Sequence, residues 1–293
     1  MDVSFELYKV FYYVARDLSF SSASNSLYIS QSAVSQSVKL LEEKMNCILF
    51  IRNTKQVRLT REGEMLFEYI SQAFNFIKAG ERRVSELRSL ESGEVRIGAS
   101  DTICKHYLLP YFKKFISLYP NINIQVINRT SPMCIELLNN GAVDVIVVNI
   151  PEKPDKYHII KELKKIQDVF IAGNNFAHLK DKAIQLDELN RYPLLMLERN
   201  TITREFIDSY LKNRGISLTP EVELGSVDLL VELAKIGLGI SFVVRDYITK
   251  ELTAGEIFVL TIKEEIPQRS LGIITHRKIP ISLAAQKFMQ LFH

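Results

Sequence analysis

The stretch from Ser30 to Leu59 restricts the possible folds more than any other part of the chain. From Gln31 to about Met45, Val34, Val38 and Leu41 fall at i, i+4 and i+7 and form one apolar stripe. Ser32, Ser35, Gln36 and Lys39 fall at i, i+3, i+4 and i+7 on the opposite face, and Ser30 is placed to cap the helix. The period then changes. Cys47 to Arg52 leads into a turn-forming Asn53-Thr54-Lys55, followed by the alternating Gln56-Val57-Arg58-Leu59. A two-faced helix followed by a small basic hairpin is the sequence pattern of a winged reading head. On the helix, Gln31 and Gln36 can pair with adenine through two hydrogen bonds, Ser30, Ser32 and Ser35 can reach a phosphate or base edge, and Lys39 a phosphate. An ordinary solvated face would carry the same residues, so the hairpin strengthens the reading, with Arg52, Lys55 and Arg58 set to lie along phosphates or enter the minor groove.

The flanking sequence agrees. Phe5, Tyr8, Phe11, Tyr12 and Ala15 recur at three- and four-residue steps, as in an amphipathic core helix. Serines around Ser19 and Ser21 suit the start of a second short helix, in which Ala23 allows close approach and Leu27 faces inward. The net charge of +3 neither demands nor excludes nucleic acid, but the local charge is informative. Between Tyr28 and Arg61, Lys39, Lys44, Arg52, Lys55, Arg58 and Arg61 stand against Glu42 and Glu43.

Ser19-Phe20, Ala23, Leu27, the run from Ser30 to Glu43, Leu49-Phe50, Arg52 and the run from Val57 to Gly63 together resemble the LysR-type transcriptional regulators of prokaryotes. The resemblance extends over essentially the whole chain, more loosely after residue 90. It departs at Ser32, where the family usually has proline, at Ser24, usually alanine, and at Gln36, usually basic. It implies an α/β chain with an N-terminal winged helix-turn-helix (1–60), a long linker helix (61–91) and a two-lobed α/β domain like the periplasmic binding proteins (92–293). Double-stranded promoter DNA and a small-molecule effector are the implied partners. A homodimer, a homotetramer built from two such dimers, and contact with RNA polymerase follow as expectations.

The residues support a linker helix directly. Thr60 is a suitable N-cap, Glu62 and Glu64 suit the positive end of the helix dipole, and no proline occurs before Ser92. Leu66, Ile70, Ala73, Ile77, Gly80, Val84 and Leu87 are spaced by alternating fours and threes, a seam for a second helix. The seam can pair two chains or pack on the chain's own domains.

From about Gly93 short apolar runs alternate with helical segments. Strands are expected at Glu94 to Gly98, Asn123 to Ile127 and Val143 to Val148, which implies a mainly parallel sheet. A second unit has strands at Val169 to Ile171, Leu194 to Met196 and Ile240 to Val243. The strand Leu271 to Ile274 and the helix after Pro280 return to the first unit. The lobes are thus about 92–162 with 268–293, and about 163–267. Ser100 and Thr102 follow the first strand, Thr130 and Ser131 the second, and Asn149 the third, while Thr201 and Thr203 begin a helix of the second lobe. Each hydroxyl can cap its helix or line an interlobe cleft for a small anion or carboxylate. Arg129 and Arg204 can neutralise such a ligand or lie in solvent.

Catalysis has no residues to rest on. P-loop, GxSxG and HExxH patterns are missing, and Gly237-Leu238-Gly239 precedes a strand rather than a helix. Cys47, Cys104 and Cys134 share no CxxC spacing, and Cys104 with His106 lacks a third ligand, so no metal or cofactor is expected. The N-terminus lacks the features of a secretory signal, and no apolar run approaches the ~20 residues of a membrane span, so a cytoplasmic protein is expected. A transporter's solute receptor would need export, and an architectural DNA-binding protein would not respond to ligand.

Overall fold

The computed structural model describes residues 3–53, 56–86 and 93–292. It divides into two compact units, Met1–Gly80 and Glu81–His293. In the first, helices α1 (Phe5–Asp17), α2 (Phe20–Leu27) and α3 (Gln31–Met45) precede a hairpin of β1 (Phe50–Asn53) and β2 (Gln56–Leu59). Each helix begins at a serine. The hydroxyls of Ser4, Ser19 and Ser30 accept the amides of Glu6, Ser22 and Ala33. Each ends in a left-handed residue, Leu18, Tyr28 or Asn46. Phe11, Val14, Ala23, Val34, Val38, Leu41 and Leu49 form the buried core, so the stripe on α3 faces inward. The hairpin is antiparallel, with Phe50 opposite Leu59 and Asn53 opposite Gln56. It is tied to α3 by Glu42, whose Oε1 accepts the amides of Leu49 at 2.8 Å and Phe50 at 3.2 Å.

Helix α4 (Arg61–Glu86) follows directly. Thr60 caps it, accepting the amide of Gly63 at 3.0 Å and donating to the carbonyl of Ile48 at 2.7 Å.

The second unit holds two five-stranded sheets. In chain order it comprises β3 (Gly93–Ala99), α5 (Asp101–Ile103), a π-helical turn (Cys104–Leu108), α6 (Leu109–Leu118), β4 (Ile122–Asn128), α7 (Ser131–Asn139), β5 (Val145–Asn149) and β6 (His158–Ile166). Then come β7 (Asp168–Gly173), β8 (Ala183–Ile184), β9 (Leu194–Leu197), α8 (Ile202–Lys212), β10 (Val222–Leu224), α9 (Val227–Lys235) and β11 (Ile240–Val244). The chain closes with α10 (Thr249–Thr253), β12 (Ile257–Val259), β13 (Thr261–Ile262), β14 (Arg269–His276) and α11 (Leu283–Met289).

The first sheet runs β4-β3-β5-β14-β6 and the second β10-β9-β11-β7-β12, with β8 and β13 forming a separate pair. Both depart from a uniformly parallel sheet in one way. β14 is antiparallel to β5 and β6, and β7 is antiparallel to β11 and β12. These reversed strands are the ones that enter each lobe as the chain crosses between them.

Strand alternation places each side chain in one of two layers. Val145 and Val147 join the core beneath α6 and α11, while Ile146 and Val148 join the core that includes Cys134 and Leu138 of α7. In the second lobe Leu194 and Met196 face one core, and Leu195 and Leu197 the other, shared with α9. Sheets covered on both faces read as continuous apolar runs, as these do. The expected strand at Val143 begins instead at Val145, and β6, β8, β10, β12 and β13 are additional to the expected set.

Candidate DNA-reading head and effector cavity

On the reading head, Ser30, Gln31, Ser32, Gln36 and Lys39 are exposed and Ser35 is half-buried. The hydroxyls of Ser30 and Ser32 lie 2.9 Å apart. With proline absent at Ser32, this bond steadies the helix start. Gln31, Ser32 and Ser35 line a shallow groove with Phe20 and Val57, so helix and hairpin share one surface. On that hairpin the Arg58 guanidinium is held by Gln56, with Nε at 3.2 Å and Nη2 at 2.7 Å from its Oε1. Lys39 pairs loosely with Glu43 at 3.8 Å. Arg52 lies on β1, and Lys55 is outside the described residues.

The seam expected on α4 divides. Leu66 and Ile70 pack against the N-terminal core, because α4 is the fourth wall of that small unit. Ala73 is half-buried, Ile77 and Val84 are exposed, and Leu87 lies outside the described residues. The apolar side chains left open are Met65, Tyr69, Phe76, Ile77 and Val84.

In the second unit a cavity of about 330 Å³ lies between the lobes. Ser100, Thr102, Thr130, Ser131, Asn149, Thr201 and Thr203 all line it. The topology explains this convergence: parallel strands deliver their C-terminal ends to one edge, and the following helices start there. The N-termini of α5, α7, α8 and α9 therefore all meet the cavity, through Ser100, Thr130 and Ser131, Thr201, and Gly225 with Val227. Positive helix-dipole ends and amide N–H groups favour an anion.

The hydroxyls are not equivalent. Those of Ser100, Thr201 and Ser226 cap their own helices, accepting the amides of Ile103, Arg204 and Leu229 at 3.3 Å each. Thr130 makes no side-chain cap bond to α7. Thr203 belongs to a buried hinge cluster. Its Oγ1 accepts from Arg269 Nη2 at 3.2 Å and from Asn149 Nδ2 at 3.5 Å, while Arg269 grips Asp168 at 2.6 and 2.7 Å. Asn149 Oδ1 and the Tyr247 hydroxyl, both at the cavity, are buried with no hydrogen-bond partner.

Of the two arginines proposed for ligand charge, Arg129 lines the cavity, with Nη1 on the Asn128 carbonyl at 2.7 Å. Arg204 does not. It is buried, and its fork is fully engaged by Asp208 at 2.9 Å, the Leu197 carbonyl at 2.8 Å and Glu223 at 3.1 Å. The next residue along a helix points about 100° away, so adjacency to Thr203 does not share its outlook.

Burial raises the Cys104 and Cys134 thiols to about 11, which keeps both protonated at neutral pH. Among the described residues no group of three or more His, Cys, Asp or Glu could hold a metal ion, and no helix is long and apolar enough to cross a membrane.

Sequence spacing did not reveal the clasp across the cavity's rim. Lys105 Nζ lies 2.9 Å and His106 Nε2 3.5 Å from the Asp228 carboxylate on α9. The His106 ring stacks on Tyr247 at 4.8 Å. Burial would raise the Asp228 carboxyl, but the bonds and charges of Lys105 and His106 prevail and hold it below its ordinary value.

Residues 5–64 match the bacterial regulatory helix-turn-helix proteins of the lysR family, and residues 88–293 match the LysR substrate binding domain. The chain belongs to the LysR family of transcriptional regulators. It is 28% identical over 284 residues to a "Probable RuBisCO transcriptional regulator" of Porphyra purpurea, covering 94% of this chain and 89% of that one. A protein of the same description from Cyanidioschyzon merolae is 29% identical, over 96% and 95% of the two chains. The fold matches full-length CbnR crystallised with its target DNA, at a TM-score of 0.68 and 17% identity, over 99% of this chain and 98% of that one. Full-length OxyR from Pseudomonas aeruginosa gives a TM-score of 0.71 at 19% identity, over 99% and 94%. The protein is thus a DNA-binding transcription regulator with an effector domain, in a family of regulators rather than enzymes.

Proposed function

We propose that the effector is a small anion, such as a carboxylate, held between the lobes by Ser100, Thr102, Thr130, Ser131, Asn149, Thr201 and Thr203. The observation that carries this reading is the meeting of four helix N-termini on one cavity, with the Thr130 hydroxyl not spent on capping. Arg129 supplies the cationic side chain on the lining.

Ser30, Gln31, Ser32, Ser35, Gln36, Lys39, Arg52, Lys55 and Arg58 form the DNA-contacting set, within domain limits of 1–60, 61–91 and 92–293. The exposed apolar side chains of α4 pair two chains into a homodimer, and two dimers make a homotetramer on promoter DNA in the cytoplasm, where RNA polymerase can be engaged. Ligand shifts the population of lobe closures and so the angle between reading heads.

A thermal-shift screen of the full chain with small carboxylates, sulfate, phosphate and uncharged analogues tests the ligand class. A ligand that binds the folded state and not the unfolded one raises Tm, and the rise continues with the logarithm of its concentration above Kd. At least one small anion should do so, and the shift should shrink in Thr130→Val and Ser131→Ala. Stabilisation by uncharged analogues alone would overturn the reading. The coupling is checked by footprinting, where the active anion should change the length or bend of the protected DNA.

A further inference from the structure

We infer that Tyr28, in the turn before the reading helix, is a DNA-anchoring residue whose ring and hydroxyl rest on the sugar–phosphate backbone beside the groove that α3 enters. Tyr28 is 95% exposed, an extreme value for a large aromatic side chain. Among the described residues its ring stacks on no other ring, so the fold has no use for its apolar area.

Its backbone makes the choice of residue harder to explain by folding. Tyr28 caps α2 in the left-handed region, at φ 55 and ψ 39, with its N–H directed at the carbonyls of Asn25 and Ser24. Glycine or asparagine occupies such a position at lower cost than an aromatic residue. The following amide, of Ile29, is fixed to the Ser24 carbonyl at 3.2 Å. The turn is therefore rigid and projects a side chain that is both sterically disfavoured and unsupported.

Its location supplies the reason. Tyr28 stands two residues before Ser30, the cap of α3, and exposure is continuous from Tyr28 through Ser32. A reading helix enters the major groove by its N-terminal end, so the turn leading into it passes over the phosphates. Tyrosine suits that place: the hydroxyl donates to a phosphate oxygen and the ring covers a sugar. Such a contact sets position and register but reads no base. Gln36, where the family usually has a cation, leaves α3 with one charge fewer to hold the phosphates, and an adjacent aromatic anchor offsets that loss.

This inference rests on α3 being the reading helix, and the experiment separates the two. The full chain selects duplexes from a random library, and one enriched duplex is titrated across a salt series with wild type, Tyr28→Asn, Tyr28→Phe, Gln31→Ala and Lys39→Ala. Tyr28→Asn should weaken binding roughly three- to tenfold, with Tm unchanged or raised because asparagine fits the turn. Its salt slope should match wild type, since an uncharged side chain displaces no counterion, whereas Lys39→Ala should lower the slope by about one. Tyr28→Phe should fall between wild type and Tyr28→Asn. Binding by Tyr28→Asn within twofold of wild type overturns the inference, as does a loss of affinity that follows a loss of Tm. If Gln31→Ala binds normally while Tyr28→Asn is weakened, Gln31 leaves the reading set and the anchor stands; if Gln31→Ala and Lys39→Ala both bind as wild type, α3 is not the reading helix and the anchor falls with it.

Discussion

At Gly63 the chain has no room for a side chain. A Cβ there would lie 2.2 Å from the Leu49 carbonyl oxygen, which belongs to the main chain and cannot swing aside. The same position receives the Thr60 cap, so the first turn of α4 is pressed directly onto the hairpin root. Gly63→Ala should therefore lower stability by about 1–3 kcal/mol, although alanine is the better helix former. Chemical denaturation of the full chain checks this, and a stabilised variant would show that the close approach is not needed. Residue-scale function was unevenly legible. The cavity hydroxyls could be found because each lies between a strand end and a helix start. Arg204 was misjudged because that rule does not say which way the next helical residue points. The clasp of Lys105 and His106 on Asp228 joins residues more than a hundred positions apart, which no local pattern records.

Among the elements, β6 shows how a strand escapes pattern reading. It is an edge strand carrying Lys161, Lys164 and Lys165, and its pairing with β14 shifts register between Leu271 and Gly272, so its alternation is broken. Lysine at an edge also discourages pairing with other chains. The start of β6 meets the end of β14 at two histidines. His158 and His276 pair in register, and His158 Nε2 lies 2.8 Å from Asn139 Oδ1. Burial lowers both imidazoles below the ordinary value of 6.5, and the charge of His158 lowers His276 further. Between that unfolded value and the lower folded ones the unfolded chain binds more protons, so stability rises with pH. The stabilisation is complete above about pH 6.5 and is lost as the pH falls through the folded values. Tm should accordingly drop on acidification below neutrality, and the drop should be shallower in His276→Gln. An unchanged slope would place the sensitivity elsewhere. Helix α4 teaches a related lesson. Its heptad spacing was plain, but period alone cannot assign a stripe to a partner chain when the helix's own unit needs Leu66 and Ile70 for its core.

For the molecule as a whole, the two lobes of the effector unit are joined by contacts of very different strength. Asp168 and Arg269 are buried at the crossing strands, whereas Lys105 and Asp228 are each about half exposed at the rim. An exposed pair contributes at most about 1 kcal/mol and is screened by salt. Asp228→Asn should therefore raise the open population by about two- to fivefold, with little change in Tm. Spin labels placed on the two lobes would read this directly, and added salt should open wild type but not the variant. A fully closed Asp228→Asn protein would remove the clasp from the mechanism. The rim thus adjusts the equilibrium that a ligand must shift, while the buried pair preserves the axis about which the lobes turn.

The two passages of the chain between lobes also run side by side. Gln167 Nε2 donates to the Ile266 carbonyl at 3.0 Å, so the second lobe begins and ends at neighbouring points. In topological terms it is a cassette inserted into the first lobe, with both ends at a single doorway. A cassette of that kind can be exchanged without rethreading its host. Half of the cavity wall, including Thr201 and Thr203, travels with it, while Ser100, Thr130, Ser131 and Asn149 remain behind. A graft between residues 167 and 267 would therefore recombine ligand preference while leaving the DNA-reading unit untouched.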